Sequence, residues 1–127
     1  MSDVMNTSAD RDRRQRFGAQ RGRDLYWGIT LGLVVNAATM FMITRGVGVP
    51  KLAITAAIVG SFIFVCINSF DCMDDFKANA DDMGEEERAT HLGKKLLVAP
   101  WGMFKTLVFL IFGAIGICQL QDLWKIF

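Results

Sequence analysis

The stretch LYWGITLGLVVNAATMFMIT, residues 25–44, decides the fold, because it runs for twenty residues without a formal charge. At 1.5 Å per helical residue it reaches about 30 Å, the thickness of bilayer hydrocarbon. Two more stretches follow the same rule. LAITAAIVGSFIFVCINSF, residues 52–70, carries no charge, and LLVAPWGMFKTLVFLIFGAIGIC, residues 96–118, carries only Lys105. Together they take up 62 of the 127 residues, in a chain that is 52% apolar. So short a chain has too little polar residue to cover three such segments in water. Inside lipid only a helix satisfies its own backbone groups, so the β-branched residues of Ile54–Ile67 also read as helix. The expected fold is an all-α integral membrane protein with three transmembrane helices.

The intervening residues divide the chain further. Residues 1–24 form a basic arm, 25–45 the first span, 46–51 a short turn and 52–70 the second span. Residues 71–95 form a charged loop, 96–120 the third span and 121–127 a tail. Gly46, Gly48 and Pro50 break helical continuation, so the first two spans are expected to double back as a tight antiparallel hairpin. Ten basic residues lie in the arm and the loop, against Arg45, Lys51 and Lys125 at the other ends. The positive-inside rule then puts the N-terminus in the cytoplasm and the C-terminus outside. Tyr26 and Trp27, Trp101, and Trp124 fall where interfacial aromatics are expected. A signal peptide over residues 11–44 is disfavoured, because its apolar core is too long and no small-x-small cleavage site follows.

Small residues recur at four-residue steps in the hairpin. Gly28, Gly32 and Asn36 share a stripe on the first span, and Ala53, Ala57 and Ser61 share one on the second. Such stripes let helices approach closely where lipid is as apolar as the side chains. Reflecting the chain about Gly48 sets Asn36 near Gly60 and Ser61, and Thr39 near Thr55 and Ala56, which predicts a polar contact at mid-membrane. The simplest role for Asn36 is hairpin packing. The sharper one is lining a conduit or gripping a partner helix. Lys105 lies one turn past Trp101, so its stem can carry the ammonium back to the headgroups.

The loop is acidic first and basic last. Asp82 with Glu85 fits a capping box, starting a short amphipathic helix from Glu85 to His91 that Gly93 ends. Asp71, Asp74 and Asp75 with Cys72 or His91 are a weak match to any metal site, and a solvated linker that could dock a basic partner is the plainer reading. In the arm, Arg11, Arg13, Arg14 and Arg16 are candidates for anionic headgroups or a cytoplasmic partner, while also setting topology. The first ten residues are expected to be mobile unless a partner fixes them. Cys66 and Cys118 fall a membrane apart and Cys72 lies in the reducing cytoplasm, so no intrachain disulfide is expected.

The spans hold no Asp, Glu or His, so neither a proton-carrying carboxylate nor an axial haem ligand is on offer. No catalytic residue, cofactor or metal site is assigned. The net charge of +1 argues against a nucleic-acid binder. The expected function is therefore non-catalytic: an accessory subunit that packs against larger integral membrane proteins of a respiratory, photosynthetic or secretion-type complex. A bacterial inner membrane is the default location. The alternative is a small homo-oligomeric channel, transporter or holin-like pore with Asn36, Thr39, Thr55 and Ser61 turned inward.

Overall fold

The computed structural model describes residues 7–46 and 48–125. Its elements are α1 (Ser8–Arg45), α2 (Lys51–Asp81), α3 (Glu85–Arg88), α4 (His91–Leu97) and α5 (Trp101–Trp124). Among the described residues there is no strand, and α1, α2 and α5 are each long and apolar enough to cross a membrane.

The arm departs from expectation. Of the ten residues expected to be mobile, Ser8 to Asp10 already belong to α1, and the arm forms the first half of that helix. A capping box starts it: the Thr7 hydroxyl accepts from the Asp10 amide at 3.2 Å, and the Asp10 carboxylate accepts from the Thr7 amide. Arg and Gln dominate the next two turns and are good helix formers. The mobility expected of residues 1–6 lies outside the described residues. At 38 residues α1 is about 57 Å long, nearly twice the hydrocarbon thickness. The second span likewise does not stop at Phe70, since α2 runs on through the acidic residues to Asp81. The third starts later than expected, at Trp101, because Leu96 and Leu97 belong to α4 and Pro100 separates the two.

The expected capping box at Asp82 is also absent. Asp82 closes α2, donating its amide to the Ala78 carbonyl at 3.0 Å, and α3 starts from Gly84. The Glu85–His91 helix is two short pieces. The chain breaks at Ala89, and Thr90 caps α4 by accepting from the Gly93 amide at 3.0 Å. Gly93 therefore does not end a helix. It is buried inside α4, where any side chain would collide with the Glu87 carbonyl oxygen.

α2 is the central rod and packs on both α1 and α5. Contacts with α1 run in opposite directions along the two helices. Arg14 meets Asn79, Asp24 meets Asn68, and Gly32 meets Val65. Gly46 and Gly48 take positive φ of 75° and 72° between the two helices, a conformation that suits glycine. Ile54, Ile58 and Leu123 form a buried cluster near this turn, with Ile43, Val49 and Leu120 around it. At the far end the start of α1, the end of α2, α3 and α4 form a charged head.

Candidate functional site

The head is closed by ion pairs between elements. Arg11 Nη1 lies 3.3 Å from Glu86, and Arg14 Nη2 lies 2.6 Å from Glu87. Arg21 bridges Asp71 and Asp75 on α2 and reaches Asp24 at 3.4 Å. The hydrogen bond that Arg21 donates to Asp71, joined by the one to Asp75, holds its guanidinium protonated even more firmly than usual. Lys105 pairs with Asp74 and lies 5.9 Å from the Phe70 ring centre. Its ammonium thus reaches toward the head, as snorkelling requires, but ends on a carboxylate of this chain. The same pairs occupy the carboxylates of the metal reading, and the described residues hold no cluster of three or more metal-binding groups. Cys72, beside Asp71, is fully buried, and that burial pushes its thiol pKa up. Cys66 is buried as well, and Cys118 is exposed.

The arm's arginines therefore separate into two sets. Arg11 and Arg14 face the head, whereas Arg13 and Arg16 are exposed on the opposite side, around Phe17 and Gln20.

The small-residue stripe of α1 also separates, for a geometric reason. Four residues turn a helix by 400°, so each step of the stripe drifts about 40°. Gly28 faces α2, where a Cβ would collide with Asn68 Nδ2. Gly32 sits between α2 and α5, where a Cβ would strike Val65 and come within 3.1 Å of Phe112. Asn36 has turned to α5 altogether. The predicted contacts of Asn36 with Gly60 and Ser61, and of Thr39 with Thr55 and Ala56, do not form. Instead Gln119 Nε2 donates to the Asn36 carbonyl at 2.8 Å, and Thr39 Oγ1 lies 2.9 Å from Gln119 Oε1. The Asn36 amide donates to the Gly32 carbonyl at 2.7 Å. All three residues are buried. Thr55 accepts from the Trp124 indole at 3.0 Å, another α5 partner. Gln119, Asn68 and Asp74 are the contact residues that the sequence reading missed. Each is polar within or just beside an apolar run, and that was the available signal.

Ala57 and Ser61 lie on the seam between α1 and α2. With Gly60, Phe64, Leu31, Gly32 and Val35 they line an apolar groove of about 380 Å³ on the α1–α2 seam. A second hollow of about 310 Å³ shares Leu31 and Phe64 with it and continues to Trp27, Asp24 and Asn68. No residue of α5 lines either one. The Ser61 hydroxyl is engaged locally, donating to the Ile58 carbonyl at 3.0 Å, and a Cβ on Gly60 would meet nothing within 4 Å.

The fold and these sites define an all-helical protein with three helices long and apolar enough to span a membrane, joined to a charged head. No protein-family model matches the chain, and no curated protein or solved structure is significantly similar to it.

Proposed function

We propose that this chain is a non-catalytic accessory subunit that packs against larger integral membrane proteins, in a bacterial inner membrane as the default setting. In this reading the N-terminus and head are cytoplasmic, the C-terminus is outside, and the first two spans act as one tight hairpin. One observation carries it. The molecule's polar chemistry is directed inward, into Arg21 with its aspartates and into Asn36, Thr39 and Gln119, while an open groove is left along the α1–α2 seam. Groups engaged with one another in this way hold a shape, and the open seam offers that shape to a neighbour. The pore alternative needs Asn36 and Thr39 on a lumen, and their burial against Gln119 favours the subunit reading.

The test is solubilisation in a mild detergent followed by native mass measurement. Co-migration with a larger assembly at fixed stoichiometry, lost when the gene is deleted, is the expected result. A discrete homo-oligomer that passes ions in liposomes refutes it in favour of the pore. Orientation is checked separately with Lys77→Cys and Lys125→Cys, which should react with an impermeant maleimide from the cytoplasmic and the outer side respectively.

A further inference from the structure

Residues 13, 17, 20, 24, 27 and 31 of α1 recur at alternating steps of four and three, the spacing of residues that share one helix face. Along this face Arg13, Phe17, Gln20, Trp27 and Leu31 are exposed. Leu31 lines the groove and, with Trp27, the hollow that adjoins it, so the face continues the groove out of the apolar span and into the charged head. Phe17 lies eight residues before Leu25, the first residue of the apolar run, and so about 12 Å beyond the edge of the hydrocarbon. The headgroup layer is only about 5–8 Å deep on each side. Lipid therefore does not cover Phe17, and Arg13 lies another turn farther out. Phe17 is nevertheless 42% exposed, and α2, α3 and α4 leave it uncovered. Around it stand Arg13 and Arg16, which form no ion pair within the described residues, with Asp12 beside them and Asp10, bound to Thr7, acting on Arg13 without an ion-pair contact.

From this face we infer the chemistry of the partner: one transmembrane helix that continues without a break into an acidic juxtamembrane segment. Its apolar part lies in the groove between Leu31 and Phe64, over the bare surface at Gly60. Its extension covers Phe17 and sets carboxylates against Arg13 and Arg16. This assignment rests on the accessory-subunit reading and specifies which face serves it. The favourable charges set the register of the two helices, and the groove and Phe17 supply the contact area.

The experiment is site-specific photocrosslinking in the native membrane, with benzoylphenylalanine placed at position 17, at position 31 and, on the far side of α1, at position 26. Positions 17 and 31 are expected to capture the same polypeptide. The peptide joined at 31 should lie within an apolar span, and the one joined at 17 within an acidic stretch flanking that span. Arg13→Glu with Arg16→Glu should reduce the adduct at 17 about tenfold. Adducts at 17 and 31 with phospholipid only, with a second copy of this chain, or with two unrelated polypeptides overturn the inference. If position 26 alone captures a larger subunit, the face is wrong and the accessory reading stands. A chain that runs alone in mild detergent removes both.

Discussion

Replacing Arg21 with glutamine should open the head without unfolding the spans. The Arg21 side chain is 20% exposed and lies between Asp71, Asp75 and Asp24. Exposed ion pairs are worth about 0–1 kcal/mol, and breaking a buried one costs about 3–5. A partly buried guanidinium shared by carboxylates that are themselves partly solvated falls between, near 1.5 kcal/mol. Its loss also leaves Asp71 and Asp75 facing each other one helical turn apart, a repulsion of about 0.2–0.5 kcal/mol. The total, about 2 kcal/mol, raises the population of the open head about 30-fold. Cys72 reports that opening. It is fully buried beside Asp71 and its thiol pKa is pushed up by that burial, so it reacts only when the head opens. Maleimide labelling, resolved by site with mass spectrometry, should therefore be about 30-fold faster at Cys72 in Arg21→Gln. Arg21→Lys keeps the charge but loses the fork and should fall between. Arg13→Gln removes an arginine that forms no ion pair among the described residues and should leave the labelling unchanged. Labelling of Arg21→Gln within threefold of the parent, or equal to that of Arg13→Gln, would refute the view that these pairs hold the head closed.

Three further expectations concern the spans and the helix start. Gly32→Ala drives a methyl into Val65 and should cost about 1–3 kcal/mol in reversible micellar unfolding, whereas Gly60→Ala, with open space around it, should stay within about 0.5. Gln119→Leu removes two interhelical hydrogen bonds and should cost about 1.2 kcal/mol in the same assay, at about 0.6 each. That cost stays small because the Thr39 hydroxyl can turn to the Asn36 carbonyl at 2.9 Å, so no partner is orphaned. The Asp10 carboxyl is held below its ordinary 3.8 by the Thr7 side chain and then the Thr7 backbone. Its contribution to the cap is thus complete above that value and fades as pH falls through the lowered one. Amide exchange at residues 8–11, corrected for intrinsic rates, should hold steady while the pH stays above the ordinary carboxyl value and rise once it falls through the lowered one, and Asp10→Asn should abolish the rise.

That three helices are long and apolar enough to span a membrane was legible because hydrocarbon would impose one rule on every residue it touches, and an unbroken apolar run satisfies it visibly. The partners were not, and Asn36 shows why. Reflection about the turn tracks depth correctly, pairing Gly28 with Asn68, but it ignores rotation, and two steps of the stripe turn Asn36 by about 80° onto α5. The helical arm was missed for a different reason. A polar segment gives no apolar period, and the support of α1 beyond the span comes from Glu86, Glu87, Asp71 and Asp75, which lie 50–75 residues away in sequence. The Thr7–Asp10 cap was readable locally and shows that a start signal can be present where no periodicity follows.

That separation also reconciles two roles for the arginines. In the proposed orientation they must remain positive while the first hairpin enters the membrane, yet in the finished fold Arg11, Arg14 and Arg21 are neutralised by pairing. Chain order allows both. Asp71, Asp75, Glu86 and Glu87 follow the second span, so no acid from the loop can pair with the arm before both helices of the hairpin have been made. In the proposed orientation the arm would orient the spans first, and the head would then close on it. Arg13 and Arg16 point away from the head and stay outside that closure. Their charge survives assembly, and it lies on the same face as the groove, where an approaching acidic helix can still use it.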